Sequence, residues 1–290
     1  MENRIKAIYI SIVPLYAIVA LVMSLLEVNY IGFTLDYTAA VVPNLTILLF
    51  FSSVFITDTP RTDTYLKIPS LLIFLPGLLG LIQLIIGPIT LIHIFPVISA
   101  IVWAGYLFWY SRFENRLNTI NVNKGDLLPE FLLMDLNGNV VSSNNYQGKT
   151  AIYLFYRGNW CPLCMAQVKE LVRYYKQLEK RGVSTVLISP QPQSHSQSLA
   201  DKYDVSFDFM VDKDNLAAEK LGINQDCGLP LGLQLMGYSS DTVLPTVIIT
   251  DEKGKILHMD LTDNYRIRPE PEIFLEILDE HKGKPVIQLM

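Results

Sequence analysis

The sequence predicts a two-part chain. An all-α transmembrane four-helix bundle comes first, followed by an α/β domain whose mixed sheet carries helices on both faces. Half of the 290 residues are hydrophobic and 18% are charged, where an ordinary soluble domain has about 25% charged residues. Mean hydropathy is +0.30, and the apolar excess is concentrated before the polar stretch that opens at Arg112. From about residue 125 short apolar runs alternate with amphipathic ones, the order that builds a sheet with helices laid on it. This composition excludes a disordered chain. A net charge of −5 leaves no basic surplus for a nucleic-acid partner. Three cysteines cannot make a disulfide-rich scaffold.

Four runs, 5–26, 38–56, 66–86 and 89–110, approach or reach the length of ~20 apolar residues that crosses a bilayer. Pro14, Pro43, Pro76 and Pro96 lie inside them, which membrane helices tolerate. Gly87-Pro88 marks a tight turn, and Tyr106, Trp109 and Tyr110 fall where an interfacial aromatic belt belongs. Four such runs with short links are hard to house in a water-soluble core, so a lipid bilayer is an expected partner. The first run is long for a signal peptide and lacks a small-x-small cleavage site. Basic residues collect before the first run (Arg4, Lys6), in the second link (Arg61, Lys67) and after the fourth run (Arg112, Arg116, Lys124). Because Lys and Arg favour the cytoplasmic side, the expectation is a multi-pass protein of a bacterial inner membrane with its C-terminal domain in the cytoplasm; a periplasmic domain is the alternative. Residues 1–124 hold no cysteine and no histidines paired for haem, which excludes a thiol relay through the bundle. It reads as an anchor, or as a site for a lipid or partner protein, with Gln83 and His93 as its intramembrane polar residues. The expected organisation is a membrane domain over 1–111, a polar linker over 112–124 and a soluble domain over 125–290.

In the soluble part, strands are expected over 131–135 and 140–142, flanking Asn137-Gly138. Further strands are expected over 151–156, 183–189, 207–211, 243–250 and 255–261. Helical spacing appears over 167–180, with Val168, Leu171, Val172, Tyr175 and Leu178 on one face. Short helices are expected near 199–203 and 215–221, a polar loop before the first of them, and a last helix over 270–281.

The chemical signal is Trp160-Cys161-Pro162-Leu163-Cys164, two thiols at a strand-to-helix junction. A helix N-terminus carries partial positive charge and unpaired N–H groups, which favour thiolate, so the Cys161 pKa is expected to fall. Cys164, one turn along, is placed to resolve a mixed disulfide. Zinc sites usually have four protein ligands; Cys227 and the four histidines, His195 and His258 among them, offer no companion spacing. The redox reading stands ahead of a metal site, and no cofactor or metal is expected.

The stretch YLFYRGNWCPLC (153–164), with LPTVIITDEKGKI (244–256), the Asn-Gly hairpin and DNYRIRP (263–269), resembles the thioredoxin superfamily. Within it the domain resembles the redoxin, or AhpC/TSA, branch, specifically peroxiredoxin-like proteins with an RGxWCPxC motif, over about 124–282. The resemblance implies a thioredoxin-like fold and a thiol-based oxidoreductase with antioxidant activity. It implies Cys161 and Cys164 as the redox-active pair. Cys161 matches the attacking cysteine of a thioredoxin-type pair and Cys164 the resolving one. Cys164 also matches the peroxidatic cysteine of peroxiredoxins; Cys161 then stands where those have threonine, and Arg157 where they have proline. Pro245 matches the cis-proline that faces the pair, and Phe155 stands in place of the buried thioredoxin acid. Arg157, Arg266 and Arg268 are candidates to stabilise a thiolate or peroxide oxygen, with Arg268 favoured by the resemblance. Cys227 is either a second resolving cysteine or inert. The expected activity is membrane-anchored dithiol/disulfide exchange; peroxide reduction at Cys164, or a non-enzymatic redox-sensing or docking module, are the alternatives. The expected partners are a disulfide-bearing protein or a peroxide, and a thiol electron donor.

Overall fold

In the computed structural model, residues 1–31, 34–113 and 116–283 are described. Gly32 and Phe33 of the first link, Glu114 and Asn115 of the expected linker, and positions 284–290 at the end of the expected 125–290 domain lie outside the described residues. The chain divides into two units, one of Met1–Thr57 with Thr62–Arg112, the other of Asp58–Arg61 with Phe113–Met290.

The first unit is built from α1 (Glu2–Ile31), α2 (Leu35–Ile56), α3 (Lys67–Ile86) and α4 (Leu91–Gly105), the last continuing as one π turn, Tyr106–Tyr110. Four helical stretches among the described residues are long and apolar enough to cross a membrane. Their outward side chains, Leu49, Leu71, Ile85 and Ile101 among them, are large, apolar and exposed. Inside, glycines set the spacing: a Cβ on Gly77 would lie 2.6 Å from the Ala100 Cβ, and one on Gly80 2.7 Å from the Pro96 Cγ. Small residues thus bring α3 and α4 together, as membrane helices commonly do. A polar chain ties three helices. The Tyr16 hydroxyl lies 3.0 Å from the Ser99 Oγ, which in turn donates to the Asn44 Oδ1 at 3.0 Å. His93 is anchored at the start of α4 by Thr90 and the Pro88 carbonyl, both at 3.0 Å. Gln83 donates to Asp36. Tyr106 departs from the expected aromatic belt. It is 2% exposed and stacks on Trp103 and Tyr110, with Phe50 and Phe51 edge-on, so it fills the bundle interior.

In the second unit the chain order is α5 (Arg116–Thr119), β1 (Leu132–Met134), β2 (Val140–Ser142), β3 (Ala151–Phe155), α6 (Pro162–Lys180), β4 (Ser184–Ser189), α7 (Gln193–Lys202), β5 (Asp208–Val211), α8 (Leu216–Leu221), β6 (Asn224–Gln225), β7 (Thr242–Val243), β8 (Thr246–Thr250), β9 (Ile256–Asp260) and α9 (Pro271–His281). The main sheet runs β2-β1-β5-β4-β3-β8-β9. β4 is parallel to β3 and β5, while β8 is antiparallel to β3 and β9. This is the expected mixed sheet of a thioredoxin-like fold. β3 is buried at every residue, which requires cover on both faces. Ala151, Tyr153 and Phe155 join Val186, Ile188 and Ile248 in one core with Ala217, Ala218 and Leu221 of α8. Strand alternation turns Ile152 and Leu154 to the opposite face. α6 packs along β4 and against α9, and Arg181, just past its end, makes a two-pronged ion pair with Asp279.

Three expectations need correction. The polar stretch before residue 199 is not a loop: α7 starts at Gln193, with Ser196 and Leu199 as its buried side, too narrow a stripe to register as helical spacing. The expected 243–250 strand is two: β7 ends at Val243 and pairs with the equally short β6, and β8 begins at Thr246, beyond Leu244-Pro245. Of the expected 112–124 linker, Arg112 groups with the helical unit, while Phe113 and residues 116–124 group with the domain. Phe113 N donates to the Asp263 carbonyl at 2.6 Å. The buried Arg116 guanidinium donates to the carbonyls of Thr262, Pro245 and Asp260. Strand-end carbonyls need donors, and this polar segment supplies them.

Gly222 ends α8 at φ 72°, and a Cβ there would lie 1.8 Å from the Thr119 carbonyl oxygen. Gly222→Ala is therefore expected to cost more than the roughly 1–2 kcal/mol of a left-handed alanine, because Thr119 must also move. A thermal midpoint of the detergent-solubilised chain equal to the parent's would refute this close approach.

Candidate redox site

The site is assembled where β3 stops and α6 starts. Tyr156 N still bonds to the Ile188 carbonyl at 2.9 Å, after which Arg157-Gly158-Asn159-Trp160 turn the chain. Gly158 takes φ 144°, and a side chain there would strike the Trp160 indole. Cys161 caps α6 in extended geometry, with Pro162 opening the helix; proline suits this place because its missing N–H would have no helical partner. Cys164 is the third helical residue, inside the first turn. Both cysteines are free thiols, Cys161 being 3% and Cys164 0% exposed.

The two sulfurs have opposite electrostatics. Burial pushes the Cys164 thiol up. The hydrogen bond from Cys161, the charge of Arg268, and the backbone N–H and charge of Arg157 outweigh burial and bring its pKa down to about 6. Cys161 is held well above its ordinary value, first by its hydrogen bond to Cys164 and then by burial. This corrects the expectation that Cys161 carries the lowered pKa. The hydrogen bond between the two sulfurs comes first, with Cys161 as donor to Cys164, and Arg268 Nη2, 3.8 Å from the Cys164 Sγ, adds its charge.

Arg268 is 5% exposed, and its Nε has no hydrogen-bond partner among the described residues. Arg157 is also buried. It donates to the Gly228 carbonyl at 2.6 Å and lies over the Trp160 ring. Arg266 is fully buried, its backbone N–H bonded to Asn264 Oδ1. Pro245 departs from the expected cis geometry, since no described peptide bond is cis. The chain is already extended here: Leu244 N bonds to the Ile223 carbonyl, and the Pro245 carbonyl accepts from Arg116 at 2.8 Å. Cys227 is half-buried at φ 53° in the loop between β6 and β7, its N–H bonded to Asp241. His258 sits in β9, its pKa lowered by burial.

Other residues of the site are not evident from the sequence. Gln191 accepts from Asn159 N at 2.8 Å and donates to Tyr156 and Ser196, bracing the turn before Cys161. Tyr238 donates to Asn159 Oδ1 and stacks on His195 with ring centroids 4.7 Å apart. These are tertiary contacts between polar stretches that carry no pattern. Gln167 is 1% exposed, and neither atom of its amide has a hydrogen-bond partner among the described residues. Its position three residues beyond Cys164 is the signal that could have found it, since residues so spaced share a helix face.

The arrangement is that of a thiol of lowered pKa beside a guanidinium, with a second thiol next to it. Residues 124–259 match the model of the AhpC/TSA family. Peroxiredoxin Bcp of Escherichia coli (strain K12) is 27% identical over 157 residues, 54% of this chain and 96% of that protein. Thiol-disulfide oxidoreductase ResA of Halalkalibacterium halodurans is 25% identical over 154 residues, 53% of this chain and 75% of that protein. Among solved structures, peroxidoxin BcpB of Mycobacterium tuberculosis superposes with a TM-score of 0.45 at 16% identity, covering 55% of this chain and 98% of that one. The C-terminal part of the chain is therefore an AhpC/TSA-family redoxin domain of the thioredoxin-like superfamily, with peroxiredoxins and thiol–disulfide oxidoreductases among its relatives, and the protein is an oxidoreductase.

Proposed function

We propose that this protein is a membrane-anchored thiol peroxidase in which Cys164 is oxidised and Cys161 resolves it. The carrying observation is the Arg268 guanidinium 3.8 Å from the Cys164 sulfur. The thiolate attacks one peroxide oxygen, and the O–O bond breaks. Cys164 becomes a sulfenic acid, and the departing oxygen takes a proton to leave as water or an alcohol. Cys161 then loses its proton and attacks the Cys164 sulfur, expelling water and closing a Cys161–Cys164 disulfide. Two equivalents of a thiol donor return the pair to dithiols by exchange. Arg268 and Arg157 also offer donors to the peroxide oxygens.

The four apolar helices are read as bilayer-spanning because their outward faces are apolar, an arrangement water penalises. The basic residues of the links favour a cytoplasmic redoxin domain. A reporter fused at the C-terminus, active in one compartment only, tests that side.

A second reading, exchange with a protein disulfide led by Cys161, is favoured by one observation: residue Cys161 is 3% exposed where Cys164 is 0%. Addition of one equivalent of hydrogen peroxide to the reduced, detergent-solubilised chain distinguishes the readings. The expected result is consumption of the peroxide and loss of two hydrogens from the peptide spanning 161–164; unconsumed peroxide overturns the peroxidase.

Because the thiolate is the reactive form and Cys164 ionises near pH 6, its alkylation rate is expected to rise between pH 5 and 7 and then level. A free thiol would keep rising through about 8.5. A rate still climbing at pH 8 contradicts the assignment.

A further inference from the structure

The Arg268 guanidinium lies 3.8 Å from the Cys164 sulfur, and a side chain far away in sequence links the Arg268 backbone to α6. Arg268 is followed by Pro269, which restricts the residue before it and donates no N–H of its own. The carbonyls of both residues accept from one side chain: Arg61 Nε donates to the Arg268 oxygen at 3.1 Å, and Arg61 Nη2 to the Pro269 oxygen at 3.0 Å. The same guanidinium grips the Glu170 carboxylate in a fork, Nη1 to Oε1 at 3.0 Å and Nη2 to Oε2 at 2.6 Å. Glu170 stands on α6, six residues beyond Cys164. Beside this bridge, Asp58 pairs with Lys169 at 2.5 Å. Asp58–Arg61 belong by packing to the redoxin unit, although in sequence they lie between α2 and α3.

We propose that Arg61 is a positioning residue for the redox reaction, a bridge that fixes the Arg268-Pro269 backbone to the helix carrying Cys164 and so keeps the Arg268 guanidinium on the sulfur. The proposal rests on the reading of Cys164 as the reacting thiolate. The bridge needs a planar five-donor fork, since two carbonyls and both oxygens of a carboxylate are engaged at once; a lysine ammonium, with three donors at a point, cannot reproduce it.

The test compares Arg61→Ala, Arg61→Lys and Lys169→Ala in the full chain, reading Cys164 alkylation against pH by peptide mass spectrometry alongside peroxide consumption. Arg61→Ala is expected to raise the Cys164 titration midpoint by about one unit. That lowers the peroxide rate at pH 6 about fivefold and leaves it unchanged at pH 9, where both forms are thiolate. Arg61→Lys is expected to recover only part of the midpoint, and Lys169→Ala to leave it in place. A parental midpoint in Arg61→Ala overturns the proposal. So does a rate lowered equally at every pH, which is the mark of a merely structural role. Should Arg61→Ala fail to fold, Glu170→Gln removes the carboxylate charge at constant shape and is read by the same midpoint. If the parent chain consumes no peroxide while Arg61→Ala still shifts the midpoint, the peroxidase reading fails and the positioning role stands.

Discussion

Cys164→Ser is expected to abolish peroxide reduction, with a loss on the order of a thousandfold or more, while Cys161→Ser keeps the first turnover and then stalls. The asymmetry follows from which sulfur carries the charge. Cys164 sits in the first turn of α6 beside Arg268, its thiol brought down to about 6, whereas Cys161 is held protonated as its hydrogen-bond donor. Serine at 164 preserves the shape and leaves an oxygen that does not ionise near neutrality. Serine at 161 keeps a donor to Cys164 but cannot close the disulfide, so a sulfenic acid accumulates and is captured by a sulfenic-acid-specific nucleophile. Rapid-mixing peroxide consumption and mass spectrometry of the trapped peptide decide. Full peroxide reactivity in Cys164→Ser, with loss in Cys161→Ser, would transfer the chemistry to the first cysteine and favour disulfide exchange.

Arg268→Met is the second large effect. The apolar replacement keeps much of the stem and removes the charge, leaving the burial of Cys164 with fewer opposing interactions. If the thiol returns from about 6 to its free value near 8.5, the thiolate fraction at pH 7 falls about 30-fold, and peroxide consumption falls with it. The deficit is expected to close above pH 9. Stability gives an independent check. A folded-state pKa below the unfolded one contributes stability that is complete above the unfolded value and is lost as pH falls through the folded value. The parent is therefore expected to lose stability between about pH 8.5 and pH 6, and Arg268→Met to show a flatter profile over that window. An unchanged pH profile in both measurements would remove Arg268 from the site.

What the sequence made legible was local. The cysteine pair, the strand before it and the helix after it occupy one contiguous stretch, and the hydrophobic runs of the sheet and the four long helices announce themselves by length and period. What it hid depends on contacts between distant segments. The order of the two thiols follows first from a hydrogen bond whose direction no motif encodes, and then from Arg268, a hundred residues away in the chain. Arg61 looked like a topogenic charge and is a bridge beside the site. Arg116 looked like linker polarity and is a buried donor to three carbonyls. Pro245 matched a familiar position, but the extended chain around it holds a trans bond.

The complete enclosure of the Cys164 sulfur makes the site a sieve. A small oxidant such as hydrogen peroxide is expected to reach it more readily than a bulky reagent. Reactivity should therefore drop steeply with probe diameter at Cys164 and more gently at Cys161.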